Sequence, residues 1–238
     1  MIRMKIAFVL RMIDDFSGQW ITEKGFSFIV NGRVAHPVEK KEGLYVFLEP
    51  YEVCTRVWIE SSDYYSCSVE IDKRTLNPME PVAEVRLYAR AGKALLKAGG
   101  VYTGIFHEKK EFPVEIYAKK SSTPGLIVRE YRNIEGEHWW LFSGFTKETL
   151  LGKTWILDDE ENPVVLIPQE KRGINEYRAE IISGEPEKVR SGTPICRVYR
   201  SVTDRTGAYA IPVESGEETK VLEVKALHKN KKFNKEGD

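Results

Sequence analysis

Glu52-Val53-Cys54-Thr55-Arg56-Val57-Trp58-Ile59-Glu60 changes character at every step. Glu52, Cys54, Arg56, Trp58 and Glu60 share one phase, and Val57 and Ile59 lie in the other. Successive side chains of a strand point to opposite faces, so this stretch predicts a strand with a solvent face and a core face. The same period of two runs outward in both directions. Ile6 to Met12, Phe26 to Val30, Leu44 to Leu48, Tyr65 to Ile71 and Val82 to Leu87 are all short and rich in β-branched or aromatic residues. Turn-forming residues bound them: Ser17-Gly18, Asn31-Gly32, Glu42-Gly43, Ser61-Ser62-Asp63 and Asn77-Pro78. Short strands at this spacing predict an antiparallel sandwich or barrel. Asn31-Gly32 suits a two-residue hairpin turn, because both residues accept positive φ.

The period fails at Ala89–Gly100, a stretch rich in Ala, Lys and Gly whose only bulky apolar pair is Leu95-Leu96. A single helical turn or a crossover fits it, and a domain boundary is expected there. Strand patterning then resumes from Phe112 and continues in short runs to Val224. The expected organisation is therefore all-β: a sandwich over residues 1–90, a larger β-sandwich or barrel over 91–224, and a basic tail at 225–238. That tail has five lysines against Glu236 and Asp238 and no periodicity, which reads either as a solvated, disordered end or as a weak contact to an acidic partner.

Composition narrows the function. Among 238 residues, 36 Lys and Arg balance 36 Asp and Glu, which argues against nucleic acid as a partner. With 42% hydrophobic and 30% charged residues the chain has the composition of a globular protein with a real core. The apolar run Ile6 to Leu10 is closed by Arg11, too short for a secretory segment, and no stretch approaches a membrane span. Three cysteines, Cys54, Cys67 and Cys196, suit a reducing compartment, so a cytoplasmic location is expected. Cys54 takes the solvent phase and Cys67 the core phase, and adjacent strands of one sheet cannot bridge opposite faces.

The first domain carries an ordered set of signals: Asp14-Asp15-Phe16-Ser17-Gly18 at the end of a strand, Gly43-Leu44-Tyr45-Val46-Phe47, the strand Glu52 to Glu60, and Tyr64-Tyr65 just beyond it. This resembles the transthyretin-like, carboxypeptidase-regulatory-like β-sandwich, over about residues 5–88. That family opens with an Asp-x-x-(Ser/Thr)-Gly turn and has a Gly-x-Tyr-x-Phe strand. Two departures stand out: Glu49-Pro50-Tyr51 where the family has Pro-Gly, and Ser62-Asp63-Tyr64 where it has Gly-Tyr. The resemblance implies a non-catalytic accessory, adhesive or assembly module, and carries no enzymatic residue. In style the chain is also similar to accessory parts of phage-tail-like contractile particles.

Catalytic constellations find little footing. His36, His107, His138 and His228 are far apart, so no His-x-x-x-His metal pair exists. His138 beside Glu137 reads as a strand edge with charged neighbours. There is no Gly-x-Ser-x-Gly elbow and no phosphate-cradling loop with Lys and Ser/Thr. Asp158-Asp159-Glu160-Glu161 lacks the alternating ligands and central Gly of a calcium loop and reads as a solvated turn. The aromatic residues say more. Trp139 and Trp140 are adjacent on one strand, so either one fills the core while the other meets a partner, or both are covered. Trp20 and Trp155 pose the same question, as does Trp58 on its polar face. The expected site residues are Trp58, Trp139 and Trp140, as anchors for protein subunits or, in the second domain, as a stacking platform for a glycan. The expected function is a non-catalytic structural or interaction subunit of a larger assembly, with no cofactor and no metal.

Overall fold

The structure, a computed structural model, describes residues 5–106, 114–120, 125–215 and 221–227. Strand accounts for 59% and helix for 7%, so the chain is all-β. It divides into two compact units, Met1–Lys97 and Ala98–Asp238.

The first unit contains β1 (Ile6–Asp14), β2 (Phe26–Val30), β3 (Arg33–Ala35), β4 (Val38–Lys40), β5 (Leu44–Leu48), β6 (Cys54–Ser61), β7 (Cys67–Asp72) and β8 (Val82–Leu87), followed by α1 (Ala91–Ala98). They form two four-stranded sheets, β4-β5-β1-β8 and β3-β2-β6-β7. Phe28 of one sheet lies against Tyr45 and Phe47 of the other, with ring centroids 4.8 and 5.5 Å apart, and Phe8 stacks on Phe47 at 4.6 Å. The two sheets thus share one aromatic core and form a sandwich. One pairing departs from the antiparallel expectation. β1 and β8 run parallel, from Val9 opposite Val82 to Asp14 opposite Leu87. Alternation reports which face a residue takes but not the direction of its neighbour.

The division between the units falls after the boundary expected at 90/91, because α1 is anchored to the first unit. Lys93 pairs with Glu23 and with Asp63, the latter at 3.5 Å, and Lys97 meets the buried carboxylate of Asp14 at 3.1 Å. That carboxylate also closes the turn after β1: its Oδ1 accepts from the Ser17 N–H at 2.9 Å and the Ser17 hydroxyl at 2.7 Å.

Gly43 ends a 3-10 turn just before β5 with φ +68°, and a Cβ there would lie 2.0 Å from the Ile21 carbonyl oxygen. Both the dihedral and the contact exclude a side chain. Gly43→Ala is expected to destabilise the first unit by more than about 1 kcal/mol, read as a lower urea midpoint. An unchanged midpoint would show that the turn relaxes freely.

The second unit contains β9 (Gly99–Ile105), β10 (Glu115–Lys120), β11 (Leu126–Ile134), β12 (Glu137–Gly144), β13 (Trp155–Leu157), β14 (Val164–Arg172), β15 (Glu176–Ser183), β16 (Ile195–Val202), β17 (Ala208–Glu214) and β18 (Val221–Ala226). β9 pairs with β17, and the other eight form one sheet in the order β11-β12-β15-β14-β13-β16-β10-β18. Six of them curl back on themselves. The Val128 N–H of β11 donates to the Thr193 carbonyl at 2.8 Å, and the Gly192 N–H donates to the Val128 carbonyl at 2.7 Å, just before β16 begins. Strands β11, β12, β15, β14, β13 and β16 therefore enclose a single interior, closed at the start of β11. Leu126, Trp140, Tyr177, Leu166, Trp155 and Ile195, one from each strand, pack inside it. Outside the ring, Ile156, Val165, Cys196 and Val198 form a second apolar layer with Tyr117 of β10 and Leu227.

The expected tail begins too early. Lys225 and Ala226 belong to β18, which pairs with β10 from Ile116 opposite Ala226 to Lys120 opposite Val221. Residues 228–238 lie outside the described residues, as do Phe112, where strand patterning was expected to resume, His107 and His228. Among the described residues no helix is long and apolar enough to cross a membrane.

Candidate interaction surface

The Asn31-Gly32 turn sets the register of the first hairpin: Val30 pairs with Arg33 and Ile29 with Val34. On its other side Ile29 lies opposite Trp58 of β6, and Trp58 lies opposite Ser68 of β7. Val34, Ile29 and Trp58 thus form an apolar row straight across the outer face of the sheet β3-β2-β6-β7. Val34 is 70% exposed and Trp58 38% exposed, with Ile29 half-buried between them.

Polar groups border the row. The Trp58 indole N–H donates to Glu60 Oε1 at 2.8 Å, which fixes the ring against the sheet. One register step further along, Arg56 lies opposite Glu70. The Cys54 thiol donates to Glu70 Oε1 at 3.1 Å. That bond, with the nearby carboxylates, pushes the thiol up from its ordinary pKa, so Cys54 stays protonated and is a poor nucleophile. Arg74 grips Asp72 through two nitrogens and holds its carboxyl down at about 2. The surface is an apolar strip in a charged rim. Cys67 lies in the inward phase of β7, and neither Cys54 nor Cys67 is in a disulfide.

Of the three expected anchors, Trp58 alone reaches solvent. Trp140 is 0% exposed and sits inside the barrel, 4.6 Å from the Tyr131 ring. Trp139 points the other way, but the Arg172 guanidinium lies 4.2 Å above its ring and leaves it 3% exposed. Its indole N–H donates to Glu137 at 3.2 Å. Of the two alternatives the second holds, and both are covered. Trp139 and Trp140 are corrected as anchors, and the glycan platform loses their surface. Trp155 is likewise buried, donating to the Leu150 carbonyl at 3.0 Å, while Trp20 lies exposed under Arg11.

Several polar groups away from this strip have structural partners. His138 Nδ1 shares a 2.8 Å hydrogen bond with the Tyr131 hydroxyl. Asp14 also accepts from the Tyr64 hydroxyl at 3.3 Å, and burial together with Asp14 drives that phenol far above its ordinary pKa. In the acidic run, Lys119 pairs with Asp158 at 2.9 Å and Arg190 with Glu161. Among the described residues no group of three or more His, Cys, Asp or Glu is placed to hold a metal ion.

Sequence reading missed Val34 and Ile29 as members of the site. Their signal is the two-residue turn, which dictates the pairing of Ile29 with Val34 once the hairpin is accepted. Compared with family models, curated proteins and solved structures, the chain gives no match.

Proposed function

We propose that this chain is a non-catalytic interaction subunit of a larger protein assembly, docking through the outer face of its first unit. The observation that carries the proposal is the Val34–Ile29–Trp58 row, an apolar strip left open on a sheet face whose other positions are polar. A tryptophan held by Glu60 loses little freedom on binding, which suits an anchor residue. The partner is a protein surface with a complementary apolar strip and a polar rim. The Asp14–Gly18 turn, the Gly43-x-Tyr45-x-Phe47 strand and the aromatic sandwich core support reading the first unit as a transthyretin-like module, a class used for assembly. A phage-tail-like particle is the kind of assembly this reading names.

The test is sedimentation of the endogenous protein from a gentle lysate, with mass spectrometry of each fraction, alongside Trp58→Ala and Val34→Ser. The wild-type chain is expected to run with a particle far heavier than itself. Both variants are expected to fold, losing less than about 1 kcal/mol of stability as surface changes do, and to run alone. Wild-type protein running at its own mass would remove the assembly reading. Variants that stay with the particle would remove the anchor assignment.

A further inference from the structure

The acidic turn between β13 and β14 is not solely a solvated loop. It walls two adjoining hollows of about 470 and 360 Å³ on the outer side of the barrel. Both are lined by Tyr117, Pro163, Glu223 and Lys225, so they form one cleft. Its floor is the second apolar layer, where Ile156, Val165 and Leu227 meet the Tyr117 ring. Its walls are charged. Glu223 and Lys225, two apart on β18, face the cleft together and pair at 3.0 Å. Asp158 is neutralised by Lys119, and Glu161 by Arg190.

Two carboxylates remain without a cation among the described residues. Asp159 accepts the N–H groups of Glu161 and Asn162 at 3.0 and 3.3 Å, which orients the carboxylate without cancelling its charge. Glu160 beside it carries no ion pair.

Tyr117 supplies an independent observation. It is 5% exposed, lines both hollows, and its phenol makes no hydrogen bond to any described residue. Burial, then Glu223 and Asp158, push the phenol up to about 12, so it remains a neutral hydroxyl. The ring is buried while the hydroxyl oxygen stays accessible, and a phenol oxygen with its ring face attracts cations.

We propose that this cleft binds a primary alkylammonium group, with the methylene stem over Ile156, Val165 and Leu227 and the head between the Tyr117 phenol oxygen and the carboxylates of Asp159 and Glu160. The ammonium supplies the charge those two acids lack and the hydrogen bond the phenol lacks, and the apolar floor selects a stem over a bare cation. The same chemistry is offered by a free diamine and by the side chain of a lysine in another protein. The site is separate from the Trp58 face, so its failure leaves the docking proposal standing.

The experiment is an NMR titration of the 238-residue chain, following the amides of 115–120, 158–162 and 223–227. The ligands are 1,5-diaminopentane and Nα-acetyl-lysine methylamide, with 1-pentanol and calcium chloride as controls at matched ionic strength. Saturable shifts confined to these amides are expected with the amines and not with the controls. Glu160→Gln and Tyr117→Phe are each expected to weaken amine binding, by roughly tenfold for a lost hydrogen bond to a charged group. Both changes are conservative, and an unchanged amide spectrum confirms that each variant folds. A stronger response to the lysine derivative identifies a protein-borne lysine as the source, and a stronger response to the diamine identifies a free amine. Absence of saturation at tens of millimolar, equal shifts with pentanol or calcium, or variants that bind like wild type would each overturn the proposal.

Discussion

Trp140→Ala is expected to cost the second unit about 3–5 kcal/mol, a large share of the stability of a domain this size. The residue is fully buried where β12 faces the barrel interior, among Leu126, Leu166 and Tyr177. Removing it empties the middle of a closed ring whose strands cannot collapse independently, so the cavity term stays high. The phenylalanine substitutions sharpen the prediction. The Trp140 indole N–H is buried with no hydrogen-bond partner among the described residues, whereas that of Trp155 donates to the Leu150 carbonyl. Trp140→Phe deletes an unsatisfied donor, and Trp155→Phe strands an acceptor. Urea denaturation is expected to rank Trp155→Phe as more damaging than Trp140→Phe. The reverse order would mean that the Trp140 N–H has a partner.

Asp14→Ala is expected to be comparably severe in the first unit. The carboxylate is 1% exposed and gathers the Ser17 N–H and hydroxyl, the Tyr64 hydroxyl and the Lys97 ammonium. Lys97 Nζ also donates to the Tyr64 oxygen at 2.8 Å, so one deletion leaves the turn, the phenol and the helix lysine short of a partner. Breaking a buried pair of this kind costs about 3–5 kcal/mol. The damage should centre on α1, which has little apolar grip: it exposes Leu95 and Leu96 and is held through Lys93, Ala94 and Lys97. Hydrogen exchange of the α1 amides is expected to accelerate more than that of β2 or β6. Uniform acceleration would show that Asp14 supports the whole sandwich rather than the helix.

Much of the architecture is legible in the sequence because alternation assigns each strand residue to a face. It places Phe28, Val57 and Ile59 inward and Arg56 and Trp58 outward, as the structure has them. Alternation cannot tell whether the outward face is itself covered. Trp155, Ile156 and Leu157 are all buried because β13 has the barrel interior on one side and the layer of Tyr117 and Leu227 on the other. Trp139 is covered by Arg172, a residue that strand patterning places far along the chain. The amine cleft has no local signal either. It exists because β18 returns to pair with β10 and sets Glu223 near the acidic turn. The parallel pairing of β1 with β8 is a third case, since direction is decided by the path between strands rather than by either strand.

That pairing sets an order of events during synthesis. β1 is made before the other strands of its sheet, yet it lies inside that sheet, between β5 and β8. Its second neighbour is complete only at Leu87, so every shorter nascent chain leaves one edge of Ile6–Asp14 without its native partner. Contacts this distant in sequence slow folding, and an unpaired apolar strand is the surface on which chains aggregate. The last strand of the first unit is therefore also its latch. A chain stopped before β8 carries most of the sandwich and is expected to need a chaperone, whereas one carried through α1 gains the Lys97–Asp14 contact along with the closed edge.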